Sequence, residues 1–262
     1  MRSEHLKYLY LENKIFQLYI ISTFKCNLKC KGCHVFSNLQ NNEMYDLQTF
    51  KRDINVLKSI GIAPRTGLVF GGEPLLNKDC LDICDYFSQL YPNVDLGIAT
   101  NGILLRNKEI LKRANKYIIL LSLYNTKYKN EILNLKINKI MHLPSYFDHY
   151  KNDYTTLNHE NYLKVNNFVL PILNLHNPKT AYFNCCSLGM VMFKSKIYRC
   201  PTSANVKTLA KTFDLTVPIE DEYLKIDENL KYEDVINFLK TPCKFCKYCF
   251  QFDCNSKNNK KI

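Results

Sequence analysis

The sequence predicts an α/β fold of parallel strand–helix–strand units, followed by a smaller cysteine-bearing module. Three observations predict it. Short β-branched and aromatic runs alternate with helical periodicities over about the first 150 residues. Each run closes on a turn carrying cysteine, glycine or asparagine. Beyond residue 150 the alternation fades and cysteines accumulate.

Phe16–Thr23 (FQLYIIST) reads as a buried strand that ends at a cysteine triplet. Asp46 is placed to cap a helix, in which Leu47, Phe50, Ile54, Leu57 and Ile60 recur at helical spacing until Gly61 stops the run. The unit then repeats. Leu68–Phe70 is a short strand ending at Gly71-Gly72-Glu73-Pro74, and Asp79 to Leu90 is helical. Val94–Thr100 is a third strand closed by Asn101-Gly102, with a helix at Lys108–Ala114. Tyr117–Leu123 is a fourth, followed by a helix from Thr126 to Leu135 and a strand near Ile137–Leu143. Strands alternating with helices at this spacing pair in parallel through right-handed crossovers, so the turn motifs share one rim of the sheet. Residues 1–150, extending to about 180, are expected to form this core, with a polar loop at Asn152–Asn161. Residues 181–262 are expected to form the second module, with a helix at Tyr232–Lys240 before the last cysteines.

The chain of 262 residues is long enough for one substantial core and an appendage. Its N-terminus lacks a basic-then-apolar export pattern, and the apolar run Tyr117–Tyr124 is far short of the ~20 residues that span a bilayer. A cytoplasmic protein is expected, and there thiols stay reduced. Its twelve cysteines therefore point to metal or redox chemistry rather than disulfides. The net charge of +12 suggests an anionic partner, although dispersed lysines also serve simply as a solvated surface.

Cys26, Cys30 and Cys33 form a C-x3-C-x2-C spacing on a loop that leaves a strand. Three thiolates this close can hold three corners of a 4Fe–4S cubane and leave the fourth iron open to another ligand. Structural zinc takes four protein ligands and suits paired C-x2-C units better. In this triplet, in Gly71-Gly72-Glu73-Pro74 and in Ala99-Thr100-Asn101-Gly102, the sequence resembles the radical S-adenosylmethionine (SAM) superfamily. Leu121-Ser122-Leu123 occupies a further strand end that contacts SAM in that family.

The resemblance implies a partial (β/α)6 barrel. It implies a 4Fe–4S cluster on Cys26, Cys30 and Cys33, and SAM held by Gly71, Gly72, Glu73, Pro74, Thr100, Asn101 and Ser122. Glycines let a backbone approach a ligand closely, and Glu73 offers a carboxylate to the ammonium of SAM. The implied chemistry is one-electron cleavage of SAM to a 5′-deoxyadenosyl radical, which abstracts hydrogen from an unactivated C–H bond. Gly32 departs from the aromatic residue common before the third cysteine, which leaves the adenine contact to His34 or Phe36.

The C-terminal module resembles the SPASM and twitch modules of the same superfamily, in Cys186, in the Tyr198-Arg199-Cys200-Pro201 run and in the late Cys243, Cys246 and Cys249. This implies an auxiliary 4Fe–4S cluster on Cys186, Cys200 and two of Cys243, Cys246 and Cys249, with Cys185 and Cys254 as lesser candidates. Zinc is the alternative at C-x2-C pairs. The glycine usual five residues before the hairpin cysteine is Ser195 here. Cys80 and Cys84, four apart on a helix, read as buried apolar residues, and the histidines form no ligand spacing.

The layout is similar to twitch-type dehydrogenases that oxidise an alcohol on an aminocyclitol. The expected function is therefore oxidation of a sugar, aminocyclitol or nucleotide-sugar, with no catalytic residue assigned beyond the cluster and SAM. Its expected partners are that small-molecule substrate, for which the net charge favours an anion, and an electron donor such as flavodoxin or ferredoxin. Neither a membrane nor nucleic acid is expected. A peptide-modifying enzyme is the alternative, disfavoured because about fifteen residues precede the first strand. A non-catalytic iron–sulfur or zinc protein binding nucleic acid through its charge is the alternative of another class.

Overall fold

The structure is a computed structural model, and it describes residues 14–30, 33, 35–123, 127–142, 162–165, 168–171, 177–184, 189–214 and 222–247. Its centre is an eight-stranded sheet in the order β10-β9-β8-β1-β2-β3-β4-β5. Strands β1 (Lys14–Thr23), β2 (Ala63–Gly71), β3 (Asp95–Thr100), β4 (Ile118–Leu121) and β5 (Ile140–His142) pair in parallel in sequence order. The expected α/β architecture is borne out. The second strand is longer than its apolar stretch, because Ala63 to Thr66 continue the register against Lys14 to Gln17.

The helices lie in the connections, as the periodicities predict. Helix α1 (Leu47–Ser59) is capped by Asp46, whose carboxylate accepts the Thr49 N–H at 2.9 Å. It stops at Gly61, whose φ of +88° is the left-handed conformation glycine adopts freely. Helix α2 (Cys80–Leu90), α3 (Lys108–Ala114) and the single turn α4 (Lys129–Leu133) follow β2, β3 and β4. Phe50, Ile54 and Leu57 of α1 and Ile83 and Phe87 of α2 are fully buried with Leu18, Ile20 and Val69 of the sheet. Each such side chain contributes about 1.5–3 kcal/mol through its burial. Cys80 and Cys84 belong to this core, 1% and 0% exposed, as their helical spacing predicts.

The C-terminal segment does not stand apart from the sheet. Strand β8 (Met190–Phe193) pairs in parallel with the free edge of β1, Leu18 to Ile20 opposite Met190 to Met192. Strand β9 (Lys196–Tyr198) returns antiparallel on β8, and β10 (Leu224–Lys225) on β9. The hairpin β6 (Tyr162–Val165) and β7 (Phe168–Pro171) forms a separate two-stranded sheet. Helices α5 (Pro178–Asn184), α6 (Val206–Phe213) and α7 (Tyr232–Lys240) complete the described elements, the last with the bounds its sequence predicts. No helix among the described residues is long and apolar enough to cross a membrane.

The β8–β9 turn explains why glycine is usual at the position that Ser195 holds here. Lys194 and Ser195 have φ of +44° and +62°, the pair of left-handed residues that a two-residue hairpin turn of type I′ requires. Asp53 of α1, with no exposed surface, holds this turn. Its Oδ2 accepts the Ser195 N–H at 2.7 Å and the Tyr45 hydroxyl at 2.5 Å, and its Oδ1 pairs with Arg52 at 2.9 Å.

Candidate functional site

All the predicted rim motifs sit at the carboxyl ends of neighbouring parallel strands, where such sheets build their sites. The loops after β1 and β2 are zipped together beyond the sheet. Gly72 donates its N–H to the Thr23 carbonyl and Glu73 to the Lys25 carbonyl, both at 2.8 Å. A side chain at either glycine would block this approach: a Cβ on Gly71 would lie 2.2 Å from the Thr23 oxygen, and one on Gly72 2.3 Å from the Lys25 oxygen. The glycines of the second strand end thus press the cysteine loop into place.

Glu73 is fully buried and turned toward β3. Its Oε1 accepts the Thr100 hydroxyl at 2.8 Å and the Leu75 N–H at 3.2 Å, and its Oε2 accepts the Asn101 N–H at 2.9 Å. Burial pushes its carboxyl up to about 7, against the opposing pull of these three donors. Thr100 in turn accepts the Ser122 N–H on its carbonyl at 2.9 Å, which links the end of β4 to the same cluster. Pro74 accepts the Ser22 hydroxyl on its carbonyl at 3.3 Å. The predicted residues Gly71 to Pro74, Thr100, Asn101 and Ser122 are therefore one connected group. Glu73 serves within it first as a clasp between strand ends.

Two polar residues that the sequence reading missed complete the rim. Asn27 lies between the first two cysteines, and its Oδ1 accepts the Asn101 side-chain amide at 2.8 Å. Asn77 donates to the Ser22 and Tyr45 carbonyls at 3.0 and 2.8 Å, pinning the turn after Pro74 to the end of β1. A short amide side chain within each motif was the available signal.

Cys26, Cys30 and Cys33 are half-buried, free thiols. Cys26 Sγ accepts the Leu28 N–H at 3.4 Å, and Cys33 Sγ lies 3.3 Å from the Ser37 hydroxyl. Burial raises the Cys30 thiol to about 11, with Cys33 and Cys26 adding to the shift, and burial likewise raises Cys26. Cys26 and Cys30 hold their protons partly because neighbouring thiols are near. A cationic group bound among them removes that penalty and displaces the protons. Among the described residues no three ligand side chains converge on a single metal ion. A cubane asks for less convergence, because it offers each thiolate its own iron. The donor set fits such a cluster.

Of the second cysteine group, Cys186 and Cys249 lie outside the described residues, as do Cys185, Cys254, Gly32 and His34. Cys200 sits in a reciprocal turn with Ser203, whose N–H donates to Cys200 Sγ at 3.3 Å. Cys243 and Cys246 face each other with sulfurs 3.3 Å apart across the 3-10 turn Lys244–Lys247, and their hydrogen bond and burial raise the Cys243 thiol. Helix α5, which leads into Cys185 and Cys186, packs on that turn. Phe36 is buried against Leu209 of α6 and Leu39, so it packs on the C-terminal segment.

An α/β sheet with a three-thiol loop and a glycine–glutamate rim on adjacent strand ends defines a radical SAM architecture. The profile of the radical SAM superfamily matches residues 20–152, half of the chain, and the chain belongs to that superfamily. It is similar to the probable GTP 3′,8-cyclase of Methanocaldococcus jannaschii, 35% identical over 102 residues that are 36% of this chain and 31% of that protein. It is also similar to the antilisterial bacteriocin subtilosin biosynthesis protein AlbA of Bacillus subtilis, 30% identical over 99 residues, 37% of this chain and 21% of that one. The chain thus matches a third or less of the length of these curated relatives. The crystal structure of BtrN in complex with AdoMet and 2-DOIA shares the fold, with a TM-score of 0.54 and 16% identity over 91% of this chain and 97% of BtrN.

Proposed function

We propose that this radical SAM protein oxidises a small molecule, with one 4Fe–4S cluster on Cys26, Cys30 and Cys33 and an auxiliary cluster on the second cysteine group. The observation that carries the reading is the zipper of Gly72 and Glu73 onto Thr23 and Lys25, which sets the three-thiol loop beside the rim. When bound, a 4Fe–4S cluster and SAM together supply one-electron cleavage of SAM and hydrogen abstraction from an unactivated C–H bond. The chain's own residues prepare that chemistry. Cys26, Cys30 and Cys33 would hold the cluster as thiolates, and the Ser37 hydroxyl lies 3.3 Å from the Cys33 sulfur. Gly71 and Gly72 let the cysteine loop close onto the rim, Glu73 holds Thr100 and Asn101 at the same rim, and Asn101 braces Asn27 in the cysteine loop.

Cys186, Cys200 and two of Cys243, Cys246 and Cys249 are the proposed ligands of the auxiliary cluster, which would accept the second electron of a two-electron oxidation. The likeness of fold to BtrN, bound to AdoMet and 2-DOIA in its crystal structure, supports a small-molecule substrate of the sugar or aminocyclitol class. The partial match to AlbA, whose name places it in bacteriocin biosynthesis, supports a peptide substrate as the second reading.

The test is anaerobic reconstitution with iron and sulfide, then a dithionite-dependent SAM cleavage assay. The expected result is about eight irons per chain, falling to about four with loss of 5′-deoxyadenosine in Cys26→Ala/Cys30→Ala/Cys33→Ala. About four irons together with zinc would remove the auxiliary redox step. Absence of SAM cleavage under every reductant would sink the reading. Turnover of a peptide but of no aminocyclitol would favour the second reading.

A further inference from the structure

Arg199 immediately precedes Cys200, and only 8% of its side chain is exposed. Taking a guanidinium out of water is costly unless its donors are met. Here Nε donates to the Phe238 carbonyl of α7 at 3.0 Å, and Nη1 pairs with Glu222 Oε2 at 3.2 Å. The guanidinium carbon also lies 3.7 Å from the centroid of the Phe238 ring. Glu222 then uses its other oxygen, Oε1, to accept the Lys244 N–H at 2.9 Å. Lys244 opens the turn between Cys243 and Cys246. One carboxylate therefore joins the neighbour of Cys200 to the neighbour of Cys243.

The Glu222 side chain is 21% exposed, so the partly hydrated pair adds little net stability, while its directed hydrogen bonds fix one geometry. The rest of the surrounding structure has its own fixings. Asp53 holds the β8–β9 turn, and the Tyr182 hydroxyl donates to the Leu239 carbonyl to seat α5 against α7. Gln40 in the loop after Cys33 donates to Asn205 Oδ1 at 2.5 Å and docks the turn after Cys200 onto the core. The Arg199–Glu222–Lys244 bridge acts between two other points, the residue before Cys200 and the residue after Cys243.

We propose that Arg199 and Glu222 are positioning residues of the second thiol site, fixing Cys200 against Cys243 and Cys246 so that the three can share one metal–sulfur group. The inference rests on the proposed reading of these cysteines as ligands. Because the pair lies beside the thiols, it also tunes whatever charge the bound group carries.

The experiment uses the full chain bearing Cys26→Ala, Cys30→Ala and Cys33→Ala, in which iron retained after anaerobic reconstitution belongs to the second site. Glu222→Gln is the first variant, since it keeps shape and an acceptor for Arg199; Arg199→Gln is the second. Both are expected to lose iron to a chelator at least tenfold faster than the parent, with the melting points of the metal-free proteins unchanged. In redox titrations of freshly loaded protein, Arg199→Gln should lower the reduction potential and Glu222→Gln raise it, because one removes a positive and the other a negative charge. A packing defect alone would move both the same way. Equal iron retention, shifts of the same sign, or a fall in the metal-free melting points that matches the iron loss would overturn the clamp and leave the second site standing. A parent that retains no iron would overturn the clamp and the second site together.

Discussion

Glu73 is a carboxyl with no exposed surface, raised from 4.5 to about 7 by burial. The folded protein therefore binds this proton more tightly than the unfolded chain. Its contribution to stability is full below the ordinary carboxyl value and is lost as pH rises through 7, on the order of 3 kcal/mol in all. In metal-free, SAM-free protein, Glu73→Gln should lose less stability between pH 5 and pH 8 than the parent, measured by urea unfolding. Parallel pH profiles would show that the carboxyl does not carry the effect. Ser195 makes a second prediction. Its φ of +62° is a strained choice for a residue with a side chain, so Ser195→Gly should stabilise the fold by about 0.5–1 kcal/mol, read as a higher urea midpoint with an unchanged slope. At this scale the sequence was informative where chemistry recurs at fixed spacing, as in the cysteine triplet and the Gly-Gly-Glu-Pro turn. It was less so where two loops meet, as in the Asn27–Asn101 bond, since neither residue announces its partner. Asp53 was legible in principle. It falls on the apolar stripe of its helix, between Phe50, Ile54 and Leu57, and a carboxylate there must be buried with partners.

Among the elements, the junction of β1 and β2 depends on backbone meeting backbone. Gly71→Ala places a Cβ against the Thr23 carbonyl at a φ of +143°, which costs roughly 1–3 kcal/mol in strain before the overlap is relieved. The two loops should separate. The variant is expected to melt earlier and to bind SAM too weakly to detect by equilibrium dialysis, and intact binding would argue against the proposed rim. The hairpin β8–β9 depends instead on a side chain. Asp53→Ala orphans the Tyr45 hydroxyl and the Ser195 N–H, and should cost about 2–4 kcal/mol in denaturant unfolding. A loss under 1 kcal/mol would mean that the turn holds itself. Helices α1, α2, α3 and α7 were legible to within a residue because apolar spacing and end signals agree. The start of β2 was not, because Pro64, Arg65 and Thr66 look like loop and owe their strand conformation to pairing with β1.

Across the whole molecule, the parallel core follows from local patterns, but the sheet's other half does not. Nothing in Gly189–Phe193 says that it lies against Leu18 to Ile20, and this pairing puts β1 at the centre of the sheet and brings both cysteine segments onto one framework. The pairing also sets an order in time. As the chain leaves the ribosome, β1 can find β2 early, but among the described residues its other edge has no strand until Met190 emerges. At about 5–20 residues per second the intervening stretch takes roughly ten to thirty seconds to make. For that interval the newborn protein shows a row of unpaired N–H and C=O groups to any neighbouring nascent chain, the kind of edge that recruits foreign strands. Translation speed between β1 and β8 thus becomes a determinant of how much of the protein escapes aggregation.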